Sequence, residues 1–327
     1  MEFRTTVKTN ENHGWLHHSD NVVLLGSCFS DNIGAKMRGA FIHATVNPMG
    51  TLYNPMSIAR AVDRLIDCEP MAGMDLFMQG GVWNSYDFHS RHSMADKQAT
   101  IDHMNKCIST GHEALKQAQL LTVTLGTAIV YRLKATGEVV ANCHKVPGHE
   151  FERKMATAAE MAHELDTMLT RLHTFNPELR IILTVSPIRH IADGLDANSL
   201  SKAALRVAIQ EALERHRDNC DYFPAFEIMI DDLRDYRFYA SDMVHPSDVA
   251  VEYIWQAFQA TYLDDRSALA LARCERINKR LQHRPMSASR ETIKRFNADT
   301  AGIVRNLIKE YPYLSTNPEL QKVLDRP

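Results

Sequence analysis

The chain has 327 residues, 45% hydrophobic and 24% charged, with a formal net charge of -3. That length gives one large domain with an extension, or two domains, of ordinary globular composition. The charge balance gives no sign of a nucleic-acid or anionic-membrane partner, and no apolar run reaches the length of a membrane span.

The first ten residues, M-E-F-R-T-T-V-K-T-N, are polar and lack the apolar region of a signal peptide, so a cytoplasmic protein is expected. The six cysteines, Cys28, Cys68, Cys107, Cys143, Cys220 and Cys274, are scattered without a C-x-x-C, and we expect them reduced and mostly buried. The 16 histidines are dispersed too; the near pairs His17–His18 and His89–His92 lack the cysteine or carboxylate spacing of a zinc site. No metal and no cofactor is expected.

After a polar lead-in, Val22 to Leu25 has the length and β-branched content of a strand and stops at Gly26. Ser27, Cys28, Ser30 and Asp31 surround Phe29, and a helical pattern follows at Ile33, Ala35 and Met37. Phe41 to Val46 reads as a second strand, Asn47 to Asn54 as a loop punctuated by Pro48 and Gly50, and Pro55 opens a helix through Ile58, Ala61, Val62, Leu65 and Ile66. From about Pro70 to Ala95 the periodicity fails; this stretch reads as an insertion that covers something, with Asp87 and His89 as lid candidates. A helix over about 97–116 leads to a buried strand, Leu120 to Leu125, ending at Gly126-Thr127. Ile129–Leu133 and Glu138–Ala141 read as a hairpin, followed by the polar stretch Asn142 to Gly148 and a helix over about 156–174. A strand at Arg180–Val185 breaks at Ser186-Pro187; a loop to Asn198 carries Arg189-His190, and an amphipathic helix covers about 199–216. A short strand at Asp221–Phe223 and a helix from near Ser247 to about Tyr262 complete the core. Beyond it the chain reads as several basic helices with breaks near Arg284-Pro285 and Pro312.

Strands alternating with helices predict an α/β fold with a mostly parallel sheet, most simply ordered 2-1-3-4-5, and helices on both faces. All strand-ending turns then lie on one edge, and the residues just after them converge on one crevice. A nucleophile is useful at the Gly26 turn, where N–H groups of a helix start favour negative charge. The same residues also fit a plain strand-to-helix turn capped by Ser27 or Ser30. The second feature is Asp242-Met243-Val244-His245, just before the last core helix. An Asp three residues ahead of a His can orient the imidazole, and the His can take a proton from a hydroxyl or thiol.

This layout resembles the SGNH (GDSL-like) hydrolases, and G-S-C-F-S at 26–30 resembles the signature of the GSCFA domain family. The strings N-P-M-G-T-L-Y-N-P, T-L-G-T-A, N-C-H-K, S-P-I-R-H and Y-R-F-Y-A-S-D-M-V-H-P-S are similar to that family's pattern over roughly residues 20–260. The resemblance implies a three-layer α/β/α sandwich over residues 1–264, with 265–327 as a C-terminal helical extension, and acyl-ester chemistry on a small-molecule or glycan ester. It places Cys28 at the superfamily's nucleophilic serine; a one-residue slip places Ser27 there instead. A helix start beside His245 is expected to lower the pKa of a thiol at position 28. Asp242 and His245 complete the catalytic set. The superfamily's Gly-x-Asn is replaced by Gly126-Thr127-Ala128, so the oxyanion donors expected are the N–H of Cys28, the N–H of Gly50 and the side chain of Asn142. His144, Arg189 and His190 are further substrate-binding candidates, with surface roles as their alternatives. Three functions are weighed: an esterase or O-acyltransferase, a non-catalytic binding module on the same fold, and a metal-dependent hydrolase using His and Cys.

Overall fold

The computed structural model describes residues 5–10, 13–282 and 289–325. The helix break expected near Arg284-Pro285 lies outside the described residues.

Five parallel strands form the central sheet: β1 (Asn21–Gly26), β2 (His43–Val46), β5 (Leu120–Leu125), β9 (Arg180–Val185) and β10 (Cys220–Tyr222). Their order is β2-β1-β5-β9-β10, the 2-1-3-4-5 arrangement expected from the sequence. Alternation along β1 divides the core. Val23 and Leu25 pack with α2 (Pro55–Asp67), α3 (Lys97–Gln117), α4 (Ala158–Phe175) and α5 (Gly194–Leu213). Val22 and Leu24 pack with α1 (Cys28–Gly39), the single turn α6 (Ala225–Glu227), α7 (Asp248–Tyr262), α8 (Asp265–Gln282), α9 (Arg290–Glu310) and α10 (Pro318–Leu324). A period of two on the strands thus gives the three layers. No helix among the described residues is long and apolar enough to cross a membrane.

Two small sheets stand apart from the large one. Hairpin β3 (Phe77–Gln79) and β4 (Val82–Asn84) lies within the insertion, and β6 (Ile129–Leu133) sits between β7 (Val139–Val140) and β8 (Phe151–Met155). The insertion is anchored: Asp87 pairs with Arg60 at 2.8 Å and Arg64 at 3.1 Å on α2, and Phe88 is fully buried. It therefore covers the face of α2 and α3.

Three boundaries differ from the sequence reading. β2 starts at His43, because Ala40, Phe41 and Ile42 return their N–H groups to carbonyls of α1, with Phe41 in the left-handed region at φ 62°. α5 starts at Gly194, five residues early. β8 was not expected at all, since of F-E-R-K-M only Phe151 is buried.

Candidate functional site

The segment Asn47–Asn54 straps the carboxyl edge of the sheet. Asn47 N–H donates to Leu24 O at 2.8 Å, and its Oδ1 accepts from Gly26 N at 2.9 Å. Leu52 N–H donates to Gly26 O at 2.9 Å, and Tyr53 O accepts from both Gly126 N and Thr127 N, at 2.7 and 3.0 Å. Gly26 is required as glycine: its φ is 123°, and a Cβ would stand 2.1 Å from Thr124 O.

This strap fixes the turn that launches α1. Ser27 caps the helix, its Oγ accepting from Phe29 N at 3.3 Å and donating to Ser186 Oγ at 3.0 Å. It is 1% exposed and faces the end of β9. Phe29 is buried, worth about 1.5–3 kcal/mol for such a side chain, and pins the helix start. Cys28 is the first helical residue. Its N–H has no carbonyl one turn back to bond, and its sulfur faces an open cavity of about 560 Å³.

His245 faces the same sulfur from the loop before α7. Cys28 Sγ lies 3.7 Å from His245 Nε2, and His245 Nδ1 lies 2.6 Å from Asp242 Oδ2. Asp242 Oδ1 accepts the N–H groups of Val244 and His245 at 2.9 and 3.0 Å. Those two backbone donors, His245 first, hold the Asp242 carboxyl down to about 2. It is therefore an anion at every working pH, aimed at Nδ1, and leaves Nε2 to exchange a proton with the thiol. Arg189 braces this loop: its N–H donates to Val244 O at 3.2 Å, and its guanidinium lies 3.8 Å from the Tyr239 ring centre.

The Cys28 thiol departs from the sequence expectation. Half-burial pushes its pKa up; the helix-start N–H groups and Lys202 pull it back only in part. Burial thus favours the neutral thiol over the preformed thiolate expected from the helix start.

Lys202, on α5, lies beneath this turn, and sequence reading missed it. It is 1% exposed, and its Nζ donates to Gly126 O at 2.7 Å and Ser186 O at 2.8 Å, tying the ends of β5 and β9 together. Burial pushes its pKa down to about 7, while negative charge at Cys28 pulls it up. Its place three and seven residues before Leu205 and Ile209 puts it on the buried stripe of α5, a signal in the spacing that its charge masked.

The remaining candidates divide. Asn142, Arg189 and His190 line the cavity. Asn142 Oδ1 accepts from His144 N at 2.8 Å, leaving its NH₂ group for a ligand. His190 Nε2 is buried without a hydrogen-bond partner in the structure, and burial, then Lys202 and His245, push its pKa down to about 4. It is neutral, with that nitrogen enclosed beside Gly126. Gly50 and His144 are not brought to the cavity. The Gly50 N–H is taken up by Asn47 O at 2.8 Å, and φ 92° under the His89 side chain explains the glycine. His144 turns away, its Nε2 2.7 Å from Ser85 O.

The model of the GSCFA family matches residues 21–258. The chain belongs to the GSCFA family. In this member the G-S-C-F-S signature thus supplies a strand end, a helix cap, a cavity-facing thiol, a buried anchor and a second hydroxyl, Ser30, lying 2.8 Å from Thr124 Oγ1. No curated protein matches the chain. Among solved structures it is similar to an acetyl xylan esterase from the rumen bacterium Butyrivibrio proteoclasticus, at 11% identity and a TM-score of 0.38, over 77% of this chain and 63% of that one. The GSCFA chain therefore spans less than two thirds of that protein's length.

Proposed function

We propose that this GSCFA protein is an acyl-transfer enzyme, an esterase or O-acyltransferase, with Cys28 as nucleophile, His245 as base and Asp242 as its orienting anion. The observation that carries this is the alignment of Cys28 Sγ, His245 Nε2 and Asp242 Oδ2 at the cavity, with separations of 3.7 and 2.6 Å. Ser27 makes no comparable contact, its hydroxyl being committed to Ser186 and the helix cap.

The steps follow from these positions. Sγ attacks the ester carbonyl carbon while its proton passes to His245 Nε2. The oxyanion is met by the free N–H of Cys28 and the NH₂ of Asn142. Collapse breaks the ester C–O bond, and His245 returns the proton to the leaving alkoxide. A thioester at Cys28 then passes its acyl group to water or an acceptor hydroxyl, which His245 deprotonates. A small-molecule or glycan ester fits a cavity walled by Tyr53, Tyr131, Ile129 and Ile188, with Arg153 and Arg189 at hand for polar substituents. Among the described residues the cavity takes no lining residue from beyond His245, in keeping with 1–264 as the catalytic unit and 265–327 as a bracing helical extension. Six unpaired cysteines suit a reducing, cytoplasmic setting.

A second reading, a binding module without turnover, has its own support: the N–H groups of Gly126 and Thr127, beside the nucleophile turn, are both taken up by Tyr53 O. Mixing the protein with an activated acetyl ester separates the two. Our reading expects a burst of alcohol release stoichiometric with enzyme and an acetyl adduct on Cys28 by mass spectrometry. Saturable binding of the ester with neither burst nor adduct selects the binding module.

A further inference from the structure

A second cysteine–histidine cluster lies away from the cavity. His103 and Cys107 are spaced i, i+4 on α3 and share one face of it. His92 meets them from a short helical turn, Ser90–His92, that closes the insertion. His92 Nδ1 is 3.0 Å from His103 Nε2, and Cys107 Sγ is 3.7 Å from the first nitrogen and 3.8 Å from the second. Tetrahedral zinc, with Zn–N of about 2.0–2.1 Å and Zn–S of about 2.3 Å, sets ligand atoms about 3.3 Å (N to N) and about 3.6 Å (N to S) apart. The three atoms already form one face of that tetrahedron within a few tenths of an ångström.

We propose that His92, His103 and Cys107 bind a borderline-soft divalent cation of the Zn²⁺ type, which fastens the insertion to α3. A hydrogen bond between the two imidazoles accounts for one contact only; a metal ion uses all three atoms. Arg91 Nε sits 3.4 Å from His92 Nε2. Ligation through Nδ1 moves the ring proton to Nε2, so that long contact is given up, while Arg91 stays tied to Asn47 O at 2.8 Å. The thiolate is the ligating form, so binding releases the thiol proton and affinity rises with pH. Water completes the fourth position. None of the three residues lines the cavity, so the role assigned is structural and stands apart from the acyl-transfer reading.

The test uses the full chain stripped with a chelator. Titration with Co²⁺ should give the visible bands of a tetrahedral site together with a thiolate-to-cobalt charge-transfer band, and Zn²⁺ should displace it one ion per chain and raise the melting temperature. His103→Gln should weaken Zn²⁺ binding at least about a hundredfold, since even outer-shell changes cost about 10–100-fold. Cys107→Ser should lose the charge-transfer band, and Cys28→Ser should keep it. Circular dichroism confirms that each variant is folded. No saturable Zn²⁺ binding by the parent chain overturns the proposal. So does unchanged affinity in folded His103→Gln and Cys107→Ser, or loss of the band in Cys28→Ser, which places the metal at the cavity.

Discussion

Two of the cysteine–histidine clusters among the described residues, those of Cys28 and Cys107, differ in their third member. Cys28 and His245 have a carboxylate, Asp242, on the far ring nitrogen; Cys107 and His103 have a second imidazole, His92, beside the sulfur. A carboxylate behind the ring makes the imidazole a better base and fixes its tautomer. A second imidazole beside the sulfur adds a donor atom and no charge, which suits a cation. Position matters as much. Cys28 opens a helix at a cavity, where N–H groups point outward; Cys107 sits mid-helix, where its backbone is satisfied. A Cys and a His in contact thus say little about chemistry until the third group and the place in the helix are known.

The sharpest break between the clusters is the pair Cys28→Ala and Cys107→Ala. Removing the proposed nucleophile should lower turnover of an activated ester by at least about 10⁴-fold. Cys107→Ala should leave kcat within about twofold, since its side chain does not line the cavity. Steady-state kinetics on both folded variants checks this, and equal activity in Cys28→Ala and the parent sinks the assignment. Ser27→Ala belongs beside them. It loses a helix cap, about 0.5–2 kcal/mol of stability by chemical denaturation, and keeps turnover. A dead Ser27→Ala with a live Cys28→Ala would shift the nucleophile by one residue.

The next effect is that of the carboxylate-backed histidine. His245→Ala should cost about 10²–10⁴-fold in kcat/KM, the usual worth of a positioned acid–base group. Asp242→Asn should cost less than His245→Ala. The Asp242 and His245 side chains are 48% and 45% exposed, so water partly replaces the carboxylate's effect. Because Asp242 is held down to about 2, its own titration should not appear in the acid limb of the pH–rate profile. An acid limb that disappears in Asp242→Asn but survives in His245→Ala would contradict the assigned roles.

The contrast also shows what kinds of information a sequence carries. Strand positions were legible because buried parallel strands are continuous apolar runs cut by Gly26, Gly126 and Ser186. The Cys28 turn and Asp242–His245 were legible because each lies next to an element boundary that the pattern marks. Residues that act from inside an element were not. Lys202 shares the apolar stripe of α5 with Leu205 and Ile209, but a lysine is not read as core, and the approach of two strand-end carbonyls is what makes its burial tolerable. His103 and Cys107 carry an i, i+4 signal, but their partner His92 comes from the insertion, where periodicity had failed. Gly50 misled in the other direction. A glycine near the site suggested a free N–H, and the conformation it permits, φ 92°, turns that N–H back on Asn47. β8 escaped because the three residues between Phe151 and Met155 are exposed.

The smallest effect expected is the most specific, because it separates charge from packing beneath the nucleophile. Lys202 is a fully buried cation whose two hydrogen bonds hold the ends of β5 and β9. Lys202→Met keeps most of its volume and removes the charge. Two carbonyls lose their donor, so stability should fall by about 1–3 kcal/mol. The electrostatic consequence can be read separately. Thiolate is the species that alkylates, so the rate of Cys28 modification by iodoacetamide rises with pH until the thiol is fully ionised. Half-burial already places that midpoint above the ordinary thiol value, and Lys202 opposes the rise. Burial pushes the Lys202 pKa down to about 7, so its charge supports the thiolate only up to about that pH; its loss should slow alkylation near and below neutrality, with the difference fading toward the midpoint. Below the midpoint a shift of one pH unit is about a tenfold slower reaction at fixed pH, and the change expected is about that size or less. Cys107, remote from Lys202, should show an unmoved profile in the same sample and serves as the internal control. If Lys202→Met is destabilised but its Cys28 profile coincides with the parent's, the lysine is a clamp on two strand ends and contributes nothing to the electrostatics of attack.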